Sequence, residues 1–209
     1  MRKDPKKGDD LQQSPAFEES ARQAATLLDR SSAGEHSLSG NEPNRFFLNL
    51  KGKQFDDLSH LSGMAHLGDG RSVARWDYDH DGWQDLVSIN ANAPKLVWYR
   101  NQLGDHLKDR HFLAVRFQGD ESNRDGYGVR LRAEVGKTIL AKETRCGEGF
   151  SAQNSSTLLL GLGSATKIDR LSVRWPSGKE QVFTDIEANQ LMICHESKAD
   201  PELLPYQKN

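Results

Sequence analysis

The alternation of apolar and polar positions changes character near residue 44. Before it, the one periodic stretch runs from Pro15 to about Arg30, where Phe17, Ala21, Ala24 and Leu28 recur at helical spacing. Ser14 suits the cap and Pro15 the first turn, so a short N-terminal helix is expected. Its apolar stripe would dock on the β domain that follows or on a partner. Residues 1–13 are charged and polar enough to be expected as a disordered tail. Ser31 to Pro43 (SSAGEHSLSGNEP) has the composition of a linker.

From Asn44 the period shortens to two. Arg45 to Leu50 and Gln54 to Leu58 read as strands joined by a Lys51-Gly52-Lys53 turn. Ser59 to Arg71, with Gly63, Gly68 and Gly70, reads as an irregular loop. Val73 to Trp76, Leu86 to Ile89 and Leu96 to Asn101 follow as strands. After His111 the alternation sharpens: Val129, Leu131, Ala133 and Val135 interleave with Arg130, Arg132 and Glu134, which predicts one buried and one wet face. Strands are expected again at Ile139 to Arg145, Thr157 to Leu160, Ile168 to Trp175, Gln181 to Thr184 and Gln190 to Glu196. Pro176-Ser177-Gly178 turns one of them back as a hairpin. Seven or so short strands with Gly, Pro and Asn punctuation, and no convincing helix, indicate a β-sandwich. The expected organisation is therefore 1–43 (tail, helix and linker), 44–104 and 105–197 (two mainly β regions) and 198–209 (a C-terminal tail).

Composition narrows the function classes. At 209 residues there is room for one large domain or two small ones. A net charge of −2 and a pI near 6.4 argue against a general nucleic-acid binder, which needs a basic patch or stripe. No run approaches the roughly 18 apolar residues of a membrane span, and MRKDPKKGDDLQQ has no signal-peptide h-region. Cys146 and Cys194 are too few for a disulfide scaffold and too far apart for a CxxC motif. They read as two separate buried thiols, with a bridge between strands as the alternative.

The chemistry concentrates in VARWDYDHDGWQDLVSIN, from Val73 to Asn90. Asp77, Asp79, Asp81 and Asp85 fall within nine residues. At an effective dielectric near 20, each pair of carboxylates about 5 Å apart costs roughly 3 kcal/mol, so a positive charge is expected among them. Oxygen ligands at alternating positions, with Gly82 where the chain must turn, suit a hard cation such as Ca²⁺. Asp77, Asp79, Asp81 and Asp85 would supply side-chain oxygens at loop positions 1, 3, 5 and 9, and Trp83 its backbone carbonyl at position 7. Position 12 is Ser88 where an EF-hand carries a bidentate Glu, and the flanks are β-rich, so the loop is expected between strands. A solvated acidic turn without metal is the alternative.

No catalytic arrangement stands out, and the protein is expected not to be an enzyme. Gly149-Phe150-Ser151-Ala152-Gln153 is no GxSxG elbow, nothing places Cys146 beside His195, and no HExxH spacing occurs. The segment GEGFSAQNSS (Gly147 to Ser156) offers Phe150, Gln153 and Asn154 as a speculative sugar or peptide contact. The plainer expectation is that Phe150 plugs into the core while Gln153 and Asn154 satisfy loop backbone groups. Trp76, Trp98 and Trp175 are expected as packing residues, and Trp83 as an exposed exception.

Two resemblances follow from these motifs. WDYDHDGWQDLVSIN, with NRFFLNLKGKQFDDLSHLSGM before it, resembles about one and a half FG-GAP/VCBS repeats, the blades of integrin-type β-propellers, whose loops bind calcium. NRDGYGVRLRAEVGKT, CGEGFSAQNSSTLLLGLGSATKIDRLSVRWPSG and DIEANQLMICHE, from about Arg110 to Glu196, resemble the ASPIC/UnbV domain. A propeller followed by this domain is the arrangement of bacterial relatives of the cartilage acidic protein family, here truncated. The resemblance implies partial propeller repeats packed against a sandwich-like domain, Ca²⁺ as the cofactor, and an extracellular or periplasmic setting. It also implies a non-enzymatic role in adhesion or protein recognition, with a protein or glycan surface as partner. A carbohydrate-binding module of a larger surface or secreted system is the alternative. A lone partial propeller would leave strand edges that the helix, the sandwich or a second chain should cap.

Overall fold

The structure, a computed structural model, describes Glu19, Arg22, Gln23 and residues 42–206. Glu19, Arg22 and Gln23 are helical, and Gln23 Nε2 donates to Glu19 Oε1 at 3.2 Å one turn back. The rest of the expected helix, with its docking face, the tail and the linker, lies outside the described residues. From there the chain is mainly β, as the alternation predicted. It divides into two compact units, one running to Arg71 and including Ile89–Val97, the other Ser72–Ser88 with Trp98 onward.

In the first unit β1 (Phe47–Asn49) and β2 (Phe55–Asp57) form an antiparallel hairpin. Its turn uses Lys51 and Gly52 at φ 56° and 73°, and the Gly52 amide donates to Asn49 Oδ1 at 2.6 Å. Sheet pairing is backed by polar bonds here, because Phe47, Leu48 and Phe55 are all exposed. Ser59 is fully buried, accepts from the Phe46 amide at 2.8 Å and donates to Asp57. Asp69, almost fully buried, is clamped by both terminal nitrogens of Arg71 at 2.6 Å.

A three-stranded sheet, order β3-β4-β5, is built from β3 (Gly70–Trp76), β4 (Asp85–Asn90) and β5 (Leu96–Tyr99). The acidic loop is its β3–β4 connection. A helical turn, Leu103–His106, leads out of β5.

The second unit is dominated by two four-stranded sheets. One runs β11-β10-β7-β8, from β7 (Arg130–Val135), β8 (Thr138–Glu143), β10 (Lys167–Arg174) and β11 (Glu180–Glu187). The other runs β13-β12-β6-β9, from β6 (His111–Gln118), β9 (Leu158–Gly163), β12 (Gln190–His195) and β13 (Glu202–Pro205). Alternate residues of both point into one core: Leu113, Val115 and Phe117 of β6, Leu131 and Ala133 of β7, Leu171 and Val173 of β10, Met192 and Cys194 of β12. Each large apolar side chain buried this way contributes about 1.5–3 kcal/mol. The outward positions of β7 are the charged Arg130, Arg132 and Glu134, and those of β10 are charged except Ser172. β6 and β12 lie parallel, with Leu191 beside Ala114. The stretch 198–209, expected as a tail, contains β13, which pairs antiparallel with β12.

Two polar groups tie the sandwich ends. Trp175, 1% exposed, meets the Phe117 ring edge-on at 5.7 Å and donates its indole N–H to Gln181 Oε1 at 2.7 Å. The Gln181 amide then donates to the carbonyls of His195 and Lys198. Glu196, 1% exposed, accepts from the Asp120 and Ser122 amides at 2.7 Å on one oxygen and from the Ser122 and Ser177 hydroxyls at 2.6 Å on the other. Burial alone would raise this carboxyl, but those hydrogen bonds outweigh it and hold it down at about 2.

Both cysteines are free. Cys194 lies in the core, where burial pushes its thiol up to about 12. Cys146 is exposed, which corrects the expectation of a second buried thiol: it sits in the polar stretch after β8 with no apolar face to join. Native protein is expected to titrate one thiol quickly with a disulfide reagent and to release the second only in denaturant. Two fast thiols in the folded state would contradict this packing. Among the described residues no helix is long and apolar enough to cross a membrane.

Candidate metal centre

The β3–β4 loop starts where the strand can no longer alternate. Asp77 follows Trp76, and its buried carboxylate is bridged by the chain that curls around it. The Asp81 amide donates to Oδ1 at 3.1 Å and the Gly82 amide to Oδ2 at 2.8 Å. Asp85, 2% exposed, closes the loop by accepting from the Tyr78 amide at 3.0 Å and from the Asn101 amide at 2.7 Å. To make this turn His80 takes φ 55° and Gly82 φ 86°. Gly82 is required twice over, because a Cβ there would fall 2.2 Å from the Phe112 ring.

Asp79 is different. Among the described residues no backbone amide binds its carboxylate; Arg100 does, through Nη2 at 2.9 Å and Nε at 3.2 Å, while Arg100 Nη1 lies 3.5 Å from Asp105. Asp77, Asp79 and Asp85 each present one oxygen, and the three oxygens lie within 4.8 Å of one another. Two ligands of a calcium ion at about 2.4 Å can be no more than about 4.8 Å apart, so the spacing is compatible with a shared ion. The donors are all oxygen, and the Asp79 carboxylate is paired with the Arg100 guanidinium. Burial pushes the Asp77 carboxyl above its ordinary value, and the nearby Asp81 charge adds to this; bonds from the Gly82 amide, the Tyr206 hydroxyl and the Asp81 amide pull the other way without cancelling it. The residues present fit a hard divalent cation.

One carboxylate of the sequence-derived set stands outside this group, and the Trp83 side chain is placed by packing. Asp81 is outside the converging group; its Oδ1 accepts from the Trp83 amide at 2.9 Å. Trp83 packs its indole against Gly104, where a Cβ would come within 2.6 Å of the ring, so it is half-buried rather than exposed. Trp98 departs from its expected packing role and is 43% exposed. Its ring lies 4.7 Å from Tyr78, which in turn meets Trp76 at 6.2 Å, so three aromatics form one row.

In the Gly147 to Ser156 segment, Gln153 and Asn154 serve the backbone as expected. Gln153 accepts from the Gly147 amide at 2.6 Å and donates to the Arg145 and Asn154 carbonyls. Asn154 accepts from the Arg75 amide at 3.0 Å and donates to Glu148. Phe150 corrects the expectation of a plug: it is 71% exposed, carried outward by Gly149 at φ 90° and Ser151 at φ 49°. Gln153 and Asn154 line one small cavity together, and Phe150 is not among its lining residues.

Sequence reasoning missed three partners of the loop. Arg100 ends a strand and carries no mark of its pairing. Phe112 reads only as the start of β6. Tyr206 fell in the expected tail, yet its hydroxyl interacts with the Asp77 carboxylate, and its ring lies 5.0 Å from His80 and 5.3 Å from Phe112. Burial and the Asp77 charge push the Tyr206 hydroxyl far above its ordinary value, so it stays a donor.

Residues 119–201 match the family described as ASPIC and UnbV, which covers the sandwich from the end of β6 to the start of β13. The match does not reach the Asp77–Asp85 loop. No curated protein matches the chain.

Proposed function

We propose that this chain is a non-enzymatic, calcium-stabilised β module for adhesion or protein recognition outside the cytoplasm. The observation that carries it is the convergence of Asp77, Asp79 and Asp85, two of them buried, on one point at the end of β3. The FG-GAP/VCBS resemblance of the segment from Asn44 to Asn90, and its place ahead of an ASPIC/UnbV region, support the reading. Asp77, Asp79 and Asp85 would hold the ion, with further oxygens from Asp81 and the Trp83 carbonyl if the loop tightens around it. The ion's contribution would be electrostatic: it would offset carboxylate repulsion and stiffen the β3–β4 connection. The recognised surface is a protein or a glycan.

Asp79 is the ligand whose replacement disturbs the loop backbone least, because among the described residues its carboxylate accepts from Arg100 and from no backbone amide. Calorimetric titration should show one Ca²⁺ per chain, and Asp79→Asn should weaken it by roughly 10–100-fold while the apo protein loses only the small contribution of the partly exposed Arg100 ion pair. Heat-silent titration of the wild type, with no change in melting temperature between Ca²⁺ and EGTA, would sink the reading.

A further inference from the structure

A cavity of about 420 Å³ opens beside the acidic loop, within the second unit. Its walls come from the end of β3, the β3–β4 loop, β6, the start of β9 and the chain end after β13, and include Trp76, His80, Gln84, Arg116, Thr157 and Tyr206. Its size falls within the roughly 300–1,000 Å³ of small-molecule sites. The lining, however, is mostly polar, which selects against an apolar ligand.

The chemistry of the walls is more specific than their polarity. Arg116 Nε and Nη2 both donate to Thr157 Oγ1, at 3.3 and 3.1 Å, so one edge of the guanidinium is pinned while Nη1 has no partner among the described residues. The side-chain amide of Gln84 and the indole N–H of Trp76 likewise make no hydrogen bond among the described residues. A pinned guanidinium presents a directed donor for a carboxylate. The indole gives an apolar plate with a polar edge. The Gln84 amide provides both a donor and an acceptor. Asp77, on the same wall, makes no hydrogen bond to Arg116 among the described residues; its oxygens accept from the Asp81 and Gly82 amides.

We propose that this cavity binds an acidic sugar, a hexuronate unit, with its carboxylate on Arg116, its ring against Trp76 and its hydroxyls on Gln84 and His80. A neutral sugar would leave Arg116 unanswered. A flat hydrophobic acid would leave the Gln84 amide and Trp76 N–H without partners, at a cost in affinity. The carbohydrate alternative read from the sequence thus acquires a specific seat, away from Phe150. The inference does not depend on the metal, so its failure and that of the calcium reading are separable by repeating the titration in Ca²⁺ and in EGTA.

The test is ligand-observed NMR and Trp fluorescence titration of the full chain with D-glucuronate and, in parallel, D-glucose. Binding of glucuronate with a dissociation constant on the order of 1 mM is expected for so small a ligand, with glucose at least about tenfold weaker. Arg116→Gln should erase that difference, and Gln84→Ala should weaken glucuronate about three- to tenfold while leaving melting unchanged. Equal binding of glucose and glucuronate, glucuronate binding indifferent to Arg116→Gln in a folded variant, or no response to either sugar would each overturn the proposal.

Discussion

Replacing Glu196 by alanine is expected to destabilise the sandwich by about 3–5 kcal/mol, because hydrogen bonds to a charged group contribute roughly 1.5–3 kcal/mol each and buried donors left unpaired add to the loss. The substitution strips the Glu196 oxygen from the Asp120 and Ser122 amides, which lie in the turn after β6. The two hydroxyls are less affected: Ser122 and Ser177 already approach each other, since the Ser177 amide donates to Ser122 Oγ at 3.1 Å. Glu196→Gln should therefore cost less than half as much, keeping its carbonyl oxygen on the amides and turning its NH₂ toward hydroxyls that can rotate to accept. Urea unfolding of the three proteins at neutral pH measures the series.

The pH dependence has a definite sign. Glu196 has a folded value depressed to about 2 from an ordinary 4.5, so its contribution is fully present above the unfolded value and is lost as pH falls through the folded one. Wild type should lose stability relative to Glu196→Gln between about pH 4.5 and 2. Parallel acid-unfolding curves for the two would show that the carboxylate's charge contributes nothing.

Gly82→Ala is the second large effect. A left-handed alanine costs about 1–2 kcal/mol, and a Cβ placed 2.2 Å from the Phe112 ring forces a displacement worth roughly another 1–3 kcal/mol. A total loss of about 2–5 kcal/mol follows. The two contributions separate in a double-mutant cycle. Phe112→Ala removes the ring, so Gly82→Ala in that background should keep only the backbone part, about 1–2 kcal/mol. Full additivity would mean that the ring does not oppose the Cβ.

Much of the sandwich could be read from the chain, because side-chain alternation in β7 and β10 is a local property and burial follows it residue by residue. Turn chemistry was equally local: Lys51-Gly52 and Pro176-Ser177-Gly178 carry their conformations in their residue types. Pairing order was not readable. Nothing in the strand patterns says that β6 lies between β12 and β9, since any apolar-in strand could take that place. The acidic loop divides the same way. Its position between strands and its need for Gly82 were written in nine residues. Arg100 and Tyr206 reach it by long-range folding that leaves no local trace, and Asp81's turn toward the Trp83 amide depends on detail finer than spacing. Phe150 misled because an aromatic residue suggests burial, whereas the left-handed residues on either side of it carry it outward.

The parallel pairing of β6 with β12 bears on the order in which the protein can be made. During synthesis β6 emerges early, yet its neighbour on one side is complete only when His195 has left the ribosome. Until then one edge of a strand carrying Leu113, Val115 and Phe117 stands open, with loop closure over most of the domain still to be accomplished. Emergence of β12, rather than stepwise growth, should set when this sheet closes, and a ribosome stalled before Gln190 would display a sticky intermediate that a holdase chaperone could recognise.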